Sequence, residues 1–352
     1  MLGMVARNAT IKVLRSQRLP LYFIPIKTFG EIGMKGKVMS RELFVRHEDN
    51  PLFTWENWPY PANTVFNPAA TVGPNGETIV LARVEDLRGV SHLTVARSKD
   101  GRSDWEVDKT PTYSANPIQF PEEEWGIEDP RVTYLEDRDE YAVLYTAYSP
   151  RGPLVSMALT KDFETFERWG AITCPENKDA ALFPRRIGGR YAMLHRPVTN
   201  NFGANIWISY SPDLRHWGDH KEVLTGRAGP FWDAKKIGLN TPPIETSEGW
   251  LICYHGVRTH CSGALYRLGI ALLDLDEPSR LISRTDQWVF GPREDYEMTG
   301  DVGGVVFPCG WVHDEKSGEI RLYYGGADTC IGLATAKLDQ ILDLLRANPT
   351  RC

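Results

Sequence analysis

The chain has 352 residues, with 31 glycines, 24 prolines and 42% hydrophobic residues, the composition of a turn-rich globular protein with a sizeable core. Its formal net charge is −6 at pH 7 and it contains no basic block, which argues against nucleic acid or an anionic membrane surface as the main partner. The six cysteines show neither a CxxC pair nor a His/Cys metal spacing, so we expect reduced, buried thiols.

The start of the chain differs from the rest. Residues 1–40 show weak periodicity, and their one apolar patch, residues 19–26, is interrupted by Pro20 and Pro25. Such a patch is too short for a membrane span and is a poor apolar region for a secretory signal. We therefore predict an N-terminal extension over residues 1–40 and a cytoplasmic protein.

One pattern then occurs five times: a turn marked by proline, a β run, a short polar turn, a second β run ending in polar residues, a loop and a third β run. The proline marks are Pro68, Pro130, Pro184, Pro242 and Pro308, roughly 55 to 65 residues apart. This spacing suits a four-stranded blade with long loops, and radial repetition of blades protects the sheet edges of an all-β chain. The repeat therefore predicts an all-β fold, a five-bladed β-propeller.

Three copies carry an additional tag, an aspartate turn followed by a tryptophan. The pairs are Asp100 and Trp105, Asp162 and Trp169, and Asp213 and Trp217. Such a turn suits a hairpin into an outer fourth strand, with the indole ring packing between neighbouring sheets. We place the propeller at residues 41–336, and a C-terminal helix and tail at 337–352, where leucine and isoleucine recur at helical spacing.

The motif in residues 125–132 places Glu128 and Asp129 directly before Pro130 and a β-branched and aromatic run. The residue before a proline is pushed into the extended region, so we expect Asp129 to be extended and held at the mouth of a strand. An Asp-Pro pair is also a common turn former, and the motif alone does not establish a catalytic role.

The repeat makes equivalent positions converge, because the first strands of a propeller line its channel and the loops at one end form one pocket. Side chains at these positions are Asn67, Arg83, Asp129, Lys178, Asp179, His195, Arg196, Lys235, Lys236, Asn240, Tyr254, His255 and Asp328. Buried cations need anionic partners, and the carboxylates expected there are too few. A bound oxyanion such as phosphate would satisfy them. Taken singly, Arg83 could instead pair with Glu85 or Asp86, and His255 could be a core histidine.

The predicted combination of several cations with few carboxylates favours a particular reaction. Cleavage of a glycosidic bond with inversion usually needs one carboxylic acid for the leaving oxygen and a second carboxylate to activate water. Inorganic phosphate is already ionised and needs no base. Asp129 as the proton donor and a cationic site formed by Arg83, Arg196, Lys236 and His255 would then suffice.

Six motifs carry a resemblance to a known family. They are WGIEDPRV (residues 125–132), KDAALFP (178–184), LHRP (194–197), WDAKKIG (232–238), YHGV (254–257) and YYGGAD (323–328). In this order, over about residues 45–340, they resemble glycoside hydrolase family 130, the β-mannoside phosphorylases. The resemblance implies inverting phosphorolysis of a β-mannoside to α-mannose 1-phosphate, with no metal, and with inorganic phosphate as co-substrate rather than a cofactor.

The resemblance also assigns roles by position. The acid falls on Asp129, and in this family its proton is thought to pass through the 3-hydroxyl of the mannose. The phosphate ligands fall on Arg83, Arg196, His255 and Lys236, which precedes Ile237-Gly238 as the family's lysine does. Asn67 and Asp328 match positions that hold the mannose. Lys178, Asp179 and Tyr254 complete the predicted substrate-binding set.

Three alternatives stay open at this point: a β-mannosidase on the same fold, a non-catalytic sugar-binding propeller, and an arabinanase-type hydrolase with three axial carboxylates. The favoured substrates are β-1,4-mannosyl-N-acetylglucosamine and β-1,4-mannooligosaccharides. Mannose, glucose and N-acetylglucosamine all stay open as the acceptor, as do 1,4 and 1,2 linkages. We expect a β-mannoside and phosphate as partners, no nucleic acid and no membrane, and we leave a homo-oligomer open.

Overall fold

A computed structural model describes residues 42–199, 203–261 and 263–348, and the predicted N-terminal extension lies outside them. Five antiparallel sheets of four or five strands form the described chain, and each sheet corresponds to one copy of the repeat. The predicted five-bladed β-propeller is therefore confirmed. No helix of the described residues has both the length and the apolar character that a membrane span requires.

The strands run in chain order through the blades, with one exception. The first strand, β1 (Val45–Arg46), belongs to the last blade. Blade 1 contains β2 (Thr64–Val72), β3 (Thr78–Glu85), β4 (Ser91–Ser98) and β5 (Glu106–Val107). Blade 2 contains β6 (Ile127–Leu135), β7 (Glu140–Ala147), β8 (Leu154–Thr160) and β9 (Glu167–Ala171). Blade 3 contains β10 (Asn177–Leu182), β11 (Tyr191–Thr199), β12 (Gly203–Ala204), β13 (Ile206–Ser211) and β14 (Gly218–Leu224).

The last two blades hold the remaining strands. Blade 4 contains β15 (Lys236–Leu239), β16 (Ile244–Thr246), β17 (Gly249–His260), β18 (Gly263–Leu273) and β19 (Leu281–Arg284). Blade 5 contains β20 (Val306–Asp314), β21 (Glu319–Gly326), β22 (Cys330–Lys337) and β1. The helices are α1 (Asp295–Met298), α2 (Leu338–Arg346) and two 3-10 turns, Trp55–Asn57 and Pro121–Glu123.

The ring is closed by pairing of the two ends of the described chain. Val45 of β1 pairs with Thr335 of β22, so the outer strand of blade 5 comes from the beginning of the chain and the other three strands from its end. The guanidinium of Arg46 adds hydrogen bonds of 2.7 Å to Glu297 and to Glu42. This exchange explains why the fifth copy of the repeat has no outer strand of its own in sequence.

The hydrophobic core is divided among the blade interfaces. Each neighbouring pair of blades has its own buried apolar cluster. Trp105 packs into the cluster between blades 5 and 1, and Trp169 and Trp217 pack into the one between blades 2 and 3. The turn aspartates stabilise their loops: Oδ1 of Asp100 accepts hydrogen bonds from the backbone amides of Arg102 and Ser103. The interpretation of the tag as a hairpin with an inserted ring is confirmed.

The predicted C-terminal helix is present as α2, which buries Ile341, Leu342 and Leu345 against the cluster between blades 4 and 5. The cysteine expectation was only partly right. Cys253, Cys309 and Cys330 are free and buried, whereas Cys174 and Cys261 lie in loops between strands and are exposed.

Candidate active site

One pocket forms where the inner strands of the blades meet, and it encloses about 140 Å³. Nine of the ten predicted site residues line it: Asn67, Arg83, Asp129, Lys178, Asp179, Arg196, Lys236, His255 and Asp328. Glu128, Tyr266, Val302, Val305 and Phe307 complete the wall. The structure therefore brings together residues from all five copies of the repeat.

Four of these residues share an unusual backbone, and one of them is Asp328, with a φ of 51°. Asn67, Asp129 and Asp179 have φ angles of 43°, 49° and 53°, and each lies at a β-bulge where the register of the first strand shifts. Our expectation of an extended Asp129 was therefore wrong. Asparagine and aspartate tolerate the left-handed region better than most residues, and a bulge there re-aims a side chain. In blades 1, 2 and 3 the bulge thus turns one polar side chain of the first strand into the pocket.

The carboxylate of Asp129 is held by two donors. Its Oδ1 accepts a hydrogen bond of 2.9 Å from Nδ2 of Asn67 and one of 3.0 Å from Nη1 of Arg83. Nη2 of Arg83 donates to Glu128 at 3.0 Å, whereas Glu85 lies 4.0 Å away. The partners of Arg83 are therefore chiefly the two carboxylates of the 125–132 motif.

The carboxyl groups of this pocket differ in acidity. Burial alone would raise the pKa of Asp129, but the charges of Arg83, Lys178 and Arg131 and the Asn67 hydrogen bond outweigh it and lower the pKa. Burial raises the pKa of Glu128 despite the neighbouring Arg83. Burial and the charge of Asp129 together raise the pKa of Asp328 to about 7. At neutral pH, Asp129 is therefore ionised and Asp328 is partly protonated.

A second cluster surrounds Asp179. Its Oδ2 lies 2.8 Å from Nε of Arg196 and 3.8 Å from Nε2 of His255, and its Oδ1 lies 3.4 Å from Nη2 of Arg131. Burial would raise the pKa of Asp179, but the charge of Arg196 leads a group of cations that lowers it. Burial holds the pKa of His255 well below its usual value, so its ring is neutral at pH 7.

Arg131 was missed by the sequence reasoning. Its side chain is 1% exposed and donates hydrogen bonds to the backbone carbonyl oxygens of Asp129, Leu239 and Asn240 at 2.9, 2.9 and 2.7 Å. It thereby ties blade 2 to blade 4. Its place in the 125–132 motif was a signal, but the inward direction of the side chain depends on the bulge.

The carboxylate count also needs correction. Four carboxylates, from Glu128, Asp129, Asp179 and Asp328, line the pocket, which is more than the sequence analysis expected. The matching cations are Arg83, Lys178, Arg196 and Lys236, with Arg131 buried directly behind. Among the described residues, no carboxylate lies within the 4.0 Å ion-pair distance of the Lys178 or Lys236 ammonium group. Nζ of Lys236 instead lies 5.3 Å from the Tyr266 ring centroid. With Arg131 included, five cations face four carboxylates, so the pocket region carries a positive excess.

Two residues expected near the pocket face elsewhere. Tyr254 is buried between blades 3 and 4, stacks on Trp232 at 5.6 Å and donates a hydrogen bond of 3.4 Å to Asp233. Neighbouring side chains of a strand point to opposite faces, so Tyr254 cannot join His255 in the pocket. His195 likewise faces away and shares a hydrogen bond of 2.6 Å with Ser209.

The fold and the pocket define a five-bladed β-propeller with carboxylates and cations gathered in one pocket on its inner strands. The chain belongs to glycoside hydrolase family 130: the family model described as beta-1,4-mannooligosaccharide phosphorylase matches residues 37–347. The chain is 36% identical over 318 residues to a beta-1,4-mannooligosaccharide phosphorylase of Ruminococcus albus, and the match covers 88% of this chain and 92% of the relative.

Two further relatives act at a different linkage by their names. A beta-1,2-mannobiose phosphorylase of Listeria innocua is 41% identical over 261 residues, covering 74% of this chain and 70% of the relative. The solved structure of a beta-1,2-mannobiose phosphorylase from Listeria innocua, in complex with beta-1,2-mannobiose, matches with a TM-score of 0.77 at 33% identity. That match covers 86% of this chain and 99% of the solved chain.

Proposed function

We propose that this protein cleaves a β-mannoside with inorganic phosphate and releases α-mannose 1-phosphate with inversion. The observation that carries the proposal is the positive excess beside Asp129, in which Lys236 lacks a carboxylate partner among the described residues. An enzyme that uses water would gain nothing from it. An enzyme that binds phosphate would use this charge, because Arg and Lys are the usual phosphate ligands in proteins.

The proposed division of labour follows the two clusters. Arg196, Lys236 and His255 hold the phosphate, and Arg83 reaches it from the side of Asp129. One phosphate oxygen forms a bond to C1 of the mannose as the bond from C1 to the leaving sugar oxygen breaks. Asp129 supplies a proton to the 3-hydroxyl of the mannose, and that hydroxyl passes its own proton to the leaving oxygen.

The acidity of Asp129 fits this role only when the site is filled. Against the effect of burial, the charges of Arg83, Lys178 and Arg131 lower its pKa. A bound phosphate dianion offsets these charges, and a nearby negative charge raises the pKa of a carboxyl group. We therefore propose that phosphate binding prepares Asp129 to carry the proton that it donates.

The remaining pocket residues serve the sugar. We propose that Asn67, Lys178 and Asp328 bind the mannose next to the scissile bond, with Asp179 on the side of the phosphate. The enclosed 140 Å³ is well below the volume of about 300–1,000 Å³ that is usual for sites of drug-sized ligands. We therefore propose that the pocket holds the mannose next to the phosphate, and that the rest of an oligosaccharide lies outside it. Tyr254 is left out of the proposed set.

The experiment is an end-product assay. The purified protein is incubated with β-1,4-mannobiose, β-1,2-mannobiose or β-1,4-mannosyl-N-acetylglucosamine, each with and without inorganic phosphate. We expect mannose 1-phosphate only when phosphate is present, and the fastest substrate identifies the linkage and acceptor. Free mannose formed equally without phosphate would contradict the proposal and identify a mannosidase. Binding of the disaccharides with no product would identify a sugar-binding propeller.

A further inference from the structure

Two acceptor atoms face each other in the part of the pocket assigned to phosphate. They are Oδ2 of Asp179 and Nε2 of His255, 3.8 Å apart, and both side chains are at most 2% exposed. The assignment of Nε2 as an acceptor follows from Asn240. Its Nδ2 donates to the carbonyl oxygen of Pro308 at 2.7 Å, so its Oδ1 faces Nδ1 of His255 at 3.2 Å.

The tautomer of His255 is set by this contact. An amide oxygen can only accept, so Nδ1 of the neutral ring carries the hydrogen and donates it to Asn240. Nε2 then has a lone pair and no hydrogen. This nitrogen, which a simple cationic site would use as a donor, is an acceptor here.

The carboxylate of Asp179 adds a second lone pair in the same place. No donor of the described residues makes a hydrogen bond to its Oδ2, and Nε of Arg196, although 2.8 Å away, is not aligned for one. The contact with Arg196 is thus an ion pair without a hydrogen bond, and a lone pair of Oδ2 stays available to a ligand that donates. The donors nearby, on Arg196 and Lys236, would serve the other oxygens of the same ligand.

We propose that Asp179 and His255 together accept the hydroxyl hydrogen of hydrogen phosphate, and that this contact makes the site select phosphate over sulfate. Sulfate has the same tetrahedral shape and double negative charge but no hydrogen at neutral pH. It would place a bare oxygen against a carboxylate and a nitrogen lone pair. A site that leaves its own buried polar groups unpaired rejects the wrong ligand strongly.

This inference rests on the proposed phosphate site. It assigns Asp179 a specificity role and gives His255 the part of an acceptor rather than a donor. It also predicts that arsenate, which is larger than sulfate but carries a hydroxyl, is accepted. If size alone decided affinity, the order of the three anions would differ from the order that hydrogen-bonding capacity predicts.

The test measures the dissociation constants of potassium phosphate, arsenate and sulfate by calorimetry at constant ionic strength, using the full chain. For the wild type we expect sulfate to bind about 100-fold more weakly than phosphate, with arsenate close to phosphate. In Asp179→Asn the amide can donate to sulfate, so the ratio of sulfate to phosphate dissociation constants falls to below about 10. The ratio is the readout, because removal of a negative charge raises the affinity for both anions.

Asp139→Asn is the matched control: the same substitution at an exposed residue whose φ of 50° is close to the 53° of Asp179 should leave the ratio unchanged. Equal binding of sulfate and phosphate by the wild type overturns the inference and means that Nε2 of His255 donates. If Asp179→Asn does not fold, the wild-type ratio still decides. Phosphate-dependent release of mannose 1-phosphate with no anion discrimination would refute only this inference, whereas absence of phosphorolysis would refute the proposed function.

Discussion

Nη1 of Arg131 donates a hydrogen bond of 2.9 Å to the backbone carbonyl oxygen of Asp129, two residues before it in the same strand. This contact holds the left-handed turn that presents the Asp129 carboxylate, with its φ of 49°. A left-handed residue other than glycine persists only where its surroundings fix it. Arg131 is thus a positioning residue for the proposed acid.

Substitution of Arg131 should therefore affect stability and turnover together. Arg131→Met removes three hydrogen bonds to backbone carbonyls and leaves Asp179 with one partner fewer. We expect the free energy of unfolding to fall by about 3 kcal/mol, measured by urea denaturation. Arg88→Met, which removes an exposed pair with Asp86, should change it by less than about 0.5 kcal/mol. Equal effects of the two substitutions would contradict the role of Arg131.

Asp129→Asn tests the acid directly. The amide keeps the shape and an acceptor for Asn67 and Arg83, but it has no proton to give. We expect kcat for phosphorolysis to fall about a thousandfold with the melting temperature nearly unchanged. Asp139→Asn, an exposed residue with a similar φ of 50°, should leave kcat unaltered. Retention of more than a tenth of the activity by Asp129→Asn would exclude Asp129 as the donor.

Asp328 predicts a pH dependence of stability. Burial and the charge of Asp129 raise the pKa of Asp328 to about 7 in the folded protein, from a usual 3.8. The folded state then binds the proton more tightly than the unfolded state, so this contribution is present below about pH 4 and is lost as pH rises through about 7. Relative to wild type, Asp328→Asn should be more stable at pH 8 than at pH 5. Parallel melting temperatures for both proteins across this range would show that Asp328 is not perturbed.

Gly238 tests the packing around the phosphate site. A Cβ at this position would lie 2.3 Å from Oδ2 of Asp179 and 2.6 Å from Cε1 of His255, and both of these side chains are buried. Gly238→Ala should raise the KM for phosphate at least about tenfold, because a shift of these two groups moves the acceptors. Gly218→Ala, whose Cβ meets no atom within 4 Å, is the control. An unchanged KM for phosphate in Gly238→Ala would separate Asp179 and His255 from phosphate binding.

For Tyr254, in contrast to the pocket residues, we expect substitution to have little effect on activity. Because its hydroxyl contacts Asp233 between the blades and not the pocket, Tyr254→Phe should keep kcat/KM within about twofold of wild type. His255→Gln, one residue further along β17, should raise the KM for phosphate strongly. Both variants are assayed under the same conditions. A large loss of activity in a folded Tyr254→Phe variant would show that Tyr254 does belong to the active site.

The sequence was sufficient for the fold because each repeat carries its own local signals. The proline marks, the β runs and the aspartate turns with their tryptophans are all short-range features, and strand pairing within a blade joins neighbours in sequence. The closing strand β1 could not be predicted in the same way. Two residues, Val45 and Arg46, have no periodicity to read, and their partner is β22 at the far end of the chain.

The site was predictable where it depends on position in the repeat and not where it depends on side-chain direction. Asn67, Asp129 and Asp179 come together because they occupy equivalent bulges. Glu128 and Arg131 were missed because their side chains reach the pocket region only as a result of the bulge, which the sequence does not reveal. Strand alternation alone could have excluded Tyr254 once His255 was placed inside.

The pairing of β1 with β22 has a consequence for synthesis on the ribosome. The pocket draws on all five inner strands, and the ring is complete only when the last strand meets the first. Blades emerge one by one and can pair internally, but the nascent chain has no finished binding site until β22 is exposed. We expect a chain that terminates before blade 5 to contain ordered blades and yet to bind neither substrate.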